Sequence, residues 1–404
     1  MNALRATARE AEPERFVEQK RHVYPFIYPP PSLLLFYPIG HMSIWAAKLT
    51  LLTVNHLSLL AVLFMVLVPI AGFEVKQIGT DLLPAFLLIY LLFFSGVQLT
   101  ITEAQVNLLV LALICLAWWG IRRDWQAWAI APPLAIACVF KMYPVLFIAM
   151  LAVRRRYAAA AITAGSLAAV WGVGWFALPR EFWQDWATNV VPSCGYFGSP
   201  LGVFPSTVAG NISVAGFMAR LFLPLRLSME SGFGTSPALY PHPVVGRALT
   251  LGLLATAVLV TVAMSHAASR AVNLSRADRS RQINLQFSAF LILTFLVAPV
   301  AWDHHLAYVA PAAVIAVLSV LGDGRGRGRW AVPLVLGTAC VIASPGVPVR
   351  LPLSTVPLAF IVSFRLYAVL ILWAFVLGEL YRMSPVASAV REFARADEPR
   401  LAID

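Results

Sequence analysis

Long apolar runs separated by short polar or basic stretches set the pattern of this chain. The runs cover residues 43–69, 82–98, 107–120, 158–178, 244–264, 285–302, 306–322, 330–344 and 356–377. Each is close to the length of about 20 residues that an α-helix needs to cross a bilayer. Residues 128–153 are also apolar, but Pro132, Pro133, Lys141 and Pro144 interrupt them. Residues 179–245 are mixed, aromatic and rich in Pro and Gly, and residues 1–22 are polar and charged. The run Pro29-Pro30-Pro31 predicts a stiff extended approach to the first span. The expected fold is all-α, a polytopic transmembrane bundle of about 9–11 spans.

Composition strengthens this reading. The chain has 404 residues, of which 60% are hydrophobic and 12% charged, with a mean hydropathy of +0.78. Soluble domains carry about twice that share of charge. The four cysteines have neither disulfide nor metal spacing. A net charge of +11 would suit nucleic acid in a soluble protein; here it sorts by side of a membrane. Arg122-Arg123, Arg154-Arg155-Arg156, the loop with Arg270, Arg276, Arg279 and Arg281, the Arg-Gly loop of Arg325, Arg327 and Arg329, and the tail from Arg382 are all basic. Segment 179–245 sets Arg180, Arg220 and Arg226 against Glu181, Asp185 and Glu230. The basic loops and the C-terminus are therefore expected in the cytoplasm, with segment 179–245 on the exoplasmic side of the plasma membrane. Nucleic acid is not expected as a partner.

Walking the spans from these anchors has two consequences. Residues 128–153 lie between two cytoplasmic arginine clusters, so they form a hairpin with its tip near Lys141 rather than one crossing. About 14 helical residues reach roughly 20 Å into the bilayer. Residues 1–42 fall on the exoplasmic side with no preceding span, so either the span 43–69 translocates them itself or a first span precedes Met1, in which case roughly 20 apolar residues are expected to be encoded upstream. The expected organisation is an exoplasmic segment 1–42, one bundle over 43–380 and a cytoplasmic tail 381–404.

The candidate chemistry gathers on the exoplasmic side. Trp302-Asp303-His304-His305 interrupts two apolar runs, and ionisable groups there are a functional hypothesis by default. The competing reading is a polar turn that touches only water. Asp303 and Glu103 are the candidate catalytic carboxylates, able to deprotonate an acceptor hydroxyl. Lys141, Arg220, Arg247 and Arg365 are candidate phosphate partners. Arg365 lies about ten residues into the last predicted span, near mid-bilayer, where it is either a phosphate partner or half of a structural ion pair within the bundle. Asn55 and His56, also mid-span, either bond between helices or line the site. Adjacent His304 and His305 lack the i, i+4 spacing of a helical zinc pair, so no metal is expected.

Five motifs in order resemble one family: Phe26-Ile27-Tyr28-Pro29-Pro30, Glu103-Ala104-Gln105-Val106-Asn107, Lys141-Met142-Tyr143-Pro144, Gly210-Asn211-Ile212-Ser213 followed by Arg220, and Trp302-Asp303-His304-His305-Leu306. Over residues 24–385 the chain looks like glycosyltransferase family 87, whose members have the GT-C fold. The resemblance implies inverting transfer of a sugar, usually mannose, from a polyprenyl-phosphate donor to a glycolipid or glycan acceptor, with membrane lipids as surroundings and no separate cofactor. It moves Trp302, His304 and His305 toward donor binding, and makes Tyr28, Gln105, Asn107 and Asn211 acceptor-contacting or site-shaping residues. Family members carry an essential Asp just after their first span, and nothing here matches it. Asp303 and Glu103 are the remaining candidates, and an inactive relative is the alternative. A lipid-linked-sugar flippase would use the same cations without a base. It should show symmetric internal repeats, and none is visible.

Overall fold

The structure, a computed structural model, describes residues 27–73, 82–199, 205–224, 238–321, 331–346 and 359–387. Residues 1–26, the Arg-Gly loop and most of the tail lie outside the described residues. The fold is all-α, with no strand among the described residues. The helices are α1 (Ser32–Gly40), α2 (Ile44–Phe73), α3 (Leu82–Phe93), α4 (Ser95–Thr102), α5 (Asn107–Arg122), α6 (Ala127–Phe140), α7 (Leu146–Val153) and α8 (Tyr157–Ala177). There follow α9 (Arg180–Asp185), α10 (Val214–Phe222), α11 (Pro243–Ser269), α12 (Arg276–Leu296), α13 (Val309–Leu321), α14 (Ala331–Ala343) and α15 (Phe364–Arg382). Among the described residues, five helical stretches are long and apolar enough to cross a membrane, and four shorter apolar helices of 10–17 residues accompany them. This is a polytopic membrane protein.

The helices sort by which faces they cover. From Gln282 to Leu296 every residue of α12 is buried, and so is nearly all of α13. A helix that is apolar all round belongs inside a bundle, and α13, α15 and α11 pack around α12. By contrast α8 and α11 leave most of their apolar surface outward, as do Trp45, Leu49, Leu57 and Leu60 on α2. In lipid that exposure costs nothing, so close packing and polar bonds must hold the helices together.

One end of the bundle is latched by arginines. Arg154 donates to Gln286 at 2.6 Å and Gln282 at 3.4 Å. These amides in turn donate to the Ser265 and Ala268 carbonyls of α11. Arg122 donates to Asn284, and Arg281 pairs with Glu379 of α15 at 2.8 Å. These bonds correct one sequence-derived boundary. Residues 276–284 are the start of α12 rather than loop, because Arg281, Gln282 and Asn284 find partners on neighbouring elements and Ser275 caps the Asp278 N–H.

Three further expectations change. Pro29-Pro30-Pro31 does not run extended. It opens α1, with the Ser32 and Leu33 N–H groups bonded to the Pro29 and Pro30 carbonyls. Proline suits a first helical turn because its missing N–H would have no partner there. The run 82–98 divides into two helices at Phe94, whose ψ of 122° is extended. Arg365 is the second residue of α15, not mid-span.

The hairpin is present. Arg156 pairs with Asp124 and donates to the Trp125 carbonyl at 3.5 Å, so the chain leaves and returns at the arginine end. Between them α6 stops at Lys141, which is extended (φ −142°, ψ 131°), and a 3-10 turn at Tyr143–Val145 leads into α7. That tip meets the opposite end of the bundle.

Candidate active site

The residues of the opposite end are carried by one short element. α12 stops at Leu296, and Pro299 prevents its continuation. Residues 299–302 are pinned from behind by the loop before α10. The Ala301 N–H donates to Asn211 Oδ1 at 3.1 Å, the Ile212 N–H donates to the Ala301 carbonyl at 2.8 Å, and Ser213 Oγ donates to the Pro299 carbonyl at 3.2 Å. A 3-10 helix then runs over Asp303–Tyr308 and feeds α13. Its backbone lies against α4 with no room to spare. A Cβ on Gly96 would sit 2.8 Å from the Ala307 nitrogen and 2.9 Å from the Asp303 carbonyl oxygen. Thr100 Oγ1 and Asn107 Nδ2 both reach the His304 carbonyl, at 3.1 and 3.4 Å, and the Tyr308 hydroxyl donates to Asn107 Oδ1 at 3.2 Å. The polar stretch is thus built into the bundle and is not a turn that touches only water.

Three pairs of ionisable side chains meet on this element. Glu103 Oε2 lies 2.8 Å from His304 Nδ1. Asp303 pairs with Arg365, whose side chain is 3% exposed. Lys141 Nζ lies 2.7 Å from His305 Nε2. Glu103 caps α4 and is followed by Ala104 in the left-handed region (φ 50°), an αL ending that turns the chain back into α5. Of the two carboxylates, Glu103 is the more accessible, with 47% of its side chain exposed against 27% for Asp303. Tyr28 lies beneath Lys141, its ring centroid 5.8 Å from Nζ, and its hydroxyl donates to Gln105 Oε1 at 3.0 Å. Apolar surroundings push the Tyr28 phenol up to about 12, so it stays a neutral donor.

The candidates therefore divide. Glu103, Asp303, His304, His305, Lys141, Arg365, Asn107, Tyr28 and Gln105 lie within one connected set of contacts. Trp302 starts the 3-10 helix, and its indole lies against Gly210. Asn211 faces away from the pairs, its amide taken by Ser206, Ser213 and Ala301, so it shapes the site from behind. Arg220 is fully buried and donates to the Val208 and Asn211 carbonyls and to Ser363 Oγ. It clamps the loop before α10 to the entrance of α15. Arg247 is exposed on α11, with no hydrogen bond or ion pair among the described residues. His56 is exposed and bonds to its own helix at the Leu52 carbonyl, and Asn55 is buried elsewhere on α2.

Sequence reasoning missed Gly96, Thr100, Tyr308 and Gly346. A Cβ at Gly346 would sit 2.8 Å from Arg365 and 3.3 Å from the Asp303 carboxylate. Only Ser95-Gly96 inside an apolar run offered a signal, since small residues mark close helix approach in membranes.

Fold and site define a polytopic helical membrane protein that gathers carboxylates, imidazoles, an amine and a guanidinium at one end of its bundle. The model of glycosyltransferase family 87 matches residues 26–299, and the chain belongs to that family. The matched region includes Glu103 and Lys141 and stops just before Trp302. The chain is similar to a curated protein of Mycobacterium tuberculosis (strain ATCC 25618 / H37Rv), the polyprenol-phosphate-mannose-dependent alpha-(1-2)-phosphatidylinositol mannoside mannosyltransferase. The two are 22% identical over 329 residues, which is 80% of this chain and 68% of the relative. No solved structure matches. The protein is a membrane glycosyltransferase.

Proposed function

We propose that this protein transfers a mannosyl group from a polyprenyl-phosphate donor to a hydroxyl of a lipid-anchored or glycan acceptor. The reaction lies on the exoplasmic side of the plasma membrane, within a GT-C-type bundle, opposite the arginine end. The observation that carries this reading is the pairing pattern. Glu103 is exposed and backed by His304, while Asp303 is bound to Arg365. Glu103 is then the base, and Asp303 positions a cation.

In this scheme the acceptor hydroxyl gives its proton to Glu103 as its oxygen bonds to the anomeric carbon. On the opposite face the bond from that carbon to the phosphate oxygen breaks, and polyprenyl phosphate leaves. The configuration inverts. His304 orients the Glu103 carboxylate and stabilises the proton it gains. Lys141 and Arg365 supply positive charge to the phosphate, the task for which these side chains are suited. The lipid chain of the donor stays among membrane lipids, and the scheme draws on no separate cofactor.

The test is transfer from labelled polyprenyl-phosphate-mannose to lipid acceptors in membranes carrying the protein. Wild type should transfer, Glu103→Gln should not, and a variant remote from the pairs such as Trp45→Leu should behave as wild type. Absence of transfer by wild type, or movement of the donor across the bilayer without its consumption, would overturn the reading.

A further inference from the structure

His305 is held at both ring nitrogens. The Trp302 N–H donates to Nδ1 at 2.8 Å, and Nε2 lies 2.7 Å from Lys141 Nζ. A backbone N–H can only donate, so Nδ1 presents a lone pair. A neutral imidazole carries one proton, and with Nδ1 bare that proton is on Nε2. Nε2–H therefore points at Lys141. An ammonium has three donors and no lone pair, so it cannot accept. The two contacts are both hydrogen bonds only when Nζ is an uncharged amine. The other ring states fail, because a proton on Nδ1 would face the Trp302 N–H.

The surroundings fit this count. Lys141 is 8% exposed, and no carboxylate touches it among the described residues. Glu103 is engaged by His304, and Asp303 by Arg365. The Tyr28 ring faces the pair from below Lys141, and the Tyr308 ring, on the same 3-10 helix as His305, lies 6.4 Å from the imidazole. Tyr143 follows two residues after Lys141. Phenols carry no charge near neutrality. The His304 ring lies 4.5 Å from that of His305. An ammonium here would be a buried charge with only the Tyr28 ring face and no carboxylate to offset it, a costly arrangement for a cation.

We infer that Lys141 is an uncharged amine held by His305 before a donor binds, and that an anionic phosphate ester converts it to an ammonium by drawing one proton from solvent. This rests on the donor-site reading above. The consequence is a two-point grip. Once protonated, Lys141 can no longer accept from His305, so Nζ turns to a phosphate oxygen. Nε2–H is thereby released to donate to a second oxygen. The pair keeps the site free of a bare buried charge and presents a cation when the anion arrives. His305 acts as a positioning residue, its ring state set by the Trp302 N–H.

The test is calorimetric binding of a short-chain prenyl phosphodiester to the full chain in lipid nanodiscs at pH 8. A diester is chosen because it lacks the second ionisation of a monoester. Titrations in two buffers of different ionisation heat yield the protons exchanged. Wild type should take up close to one proton per ligand, and affinity should fall about tenfold per pH unit where the amine is neutral. Lys141→Met should bind more weakly with no uptake. His305→Gln, whose amide oxygen can accept from an ammonium, should bind with reduced uptake. Wild-type binding with no proton uptake would overturn this inference while leaving the donor site standing. No binding at all would overturn both.

Discussion

Replacing Asp303 by Asn strands Arg365. The Arg365 side chain is 3% exposed, its Nε is buried without a partner, and the Ser344 carbonyl at 3.4 Å is at the far limit of a hydrogen bond. No other carboxylate pairs with it among the described residues. Breaking a buried pair in this way costs about 3–5 kcal/mol. The reverse change, Arg365→Gln, strands a carboxylate that is 27% exposed. Water reaches that carboxylate, and the loss is closer to about 1–3 kcal/mol. The asymmetry is the prediction, because the two variants break the same bond. At roughly 2 °C per kcal/mol, Asp303→Asn should lower the midpoint of thermal unfolding by roughly 6–10 °C, and Arg365→Gln by roughly 2–6 °C. The double variant should lose less than the sum, since neither charge remains alone. The assay is tryptophan fluorescence of the detergent-solubilised protein on heating, at fixed pH and salt. Equal shifts for the two single variants, with an additive double variant, would refute the argument that burial of the surviving partner decides the cost.

Other outcomes follow from the same geometry. Glu103→Gln should cut transfer by about 10²–10⁴-fold, the usual worth of a general base, with little change in melting because the side chain is half exposed. Lys141→Met should raise the donor KM at least about tenfold, or about 1.4 kcal/mol. Arg220→Met should leave that KM alone and lower the melting midpoint, because its guanidinium bonds only to protein oxygens; steady-state kinetics alongside melting separates the two. Gly96→Ala should lower both folded yield and activity, since its Cβ would meet the backbone of the 3-10 helix at 2.8 Å. A well-folded, active Gly96→Ala protein would show that α4 and this helix can separate cheaply.

Much of this protein is legible along the chain. Membrane helices must satisfy their own backbone and present apolar surface, so each span is announced by local composition. Arginines sort to one end for an equally local reason, and the hairpin with Lys141 at its tip follows from the two clusters that flank it. Polar residues inside apolar runs are costly, which is why Glu103, Lys141 and Trp302 to His305 stood out. Their partners did not. That Asp303 goes to Arg365, Glu103 to His304 and Lys141 to His305 depends on Gly96 admitting the 3-10 helix against α4 and on Asn211 pinning residue 301. Arg220 and Arg365 look alike in sequence, yet one bonds to backbone carbonyls and the other to a carboxylate. Burial and helix propensity act residue by residue and can be read from neighbours in the chain. The pairing of charges depends on distances of about 3 Å between residues as far apart in sequence as Glu103 and His304, and only the packed helices set those.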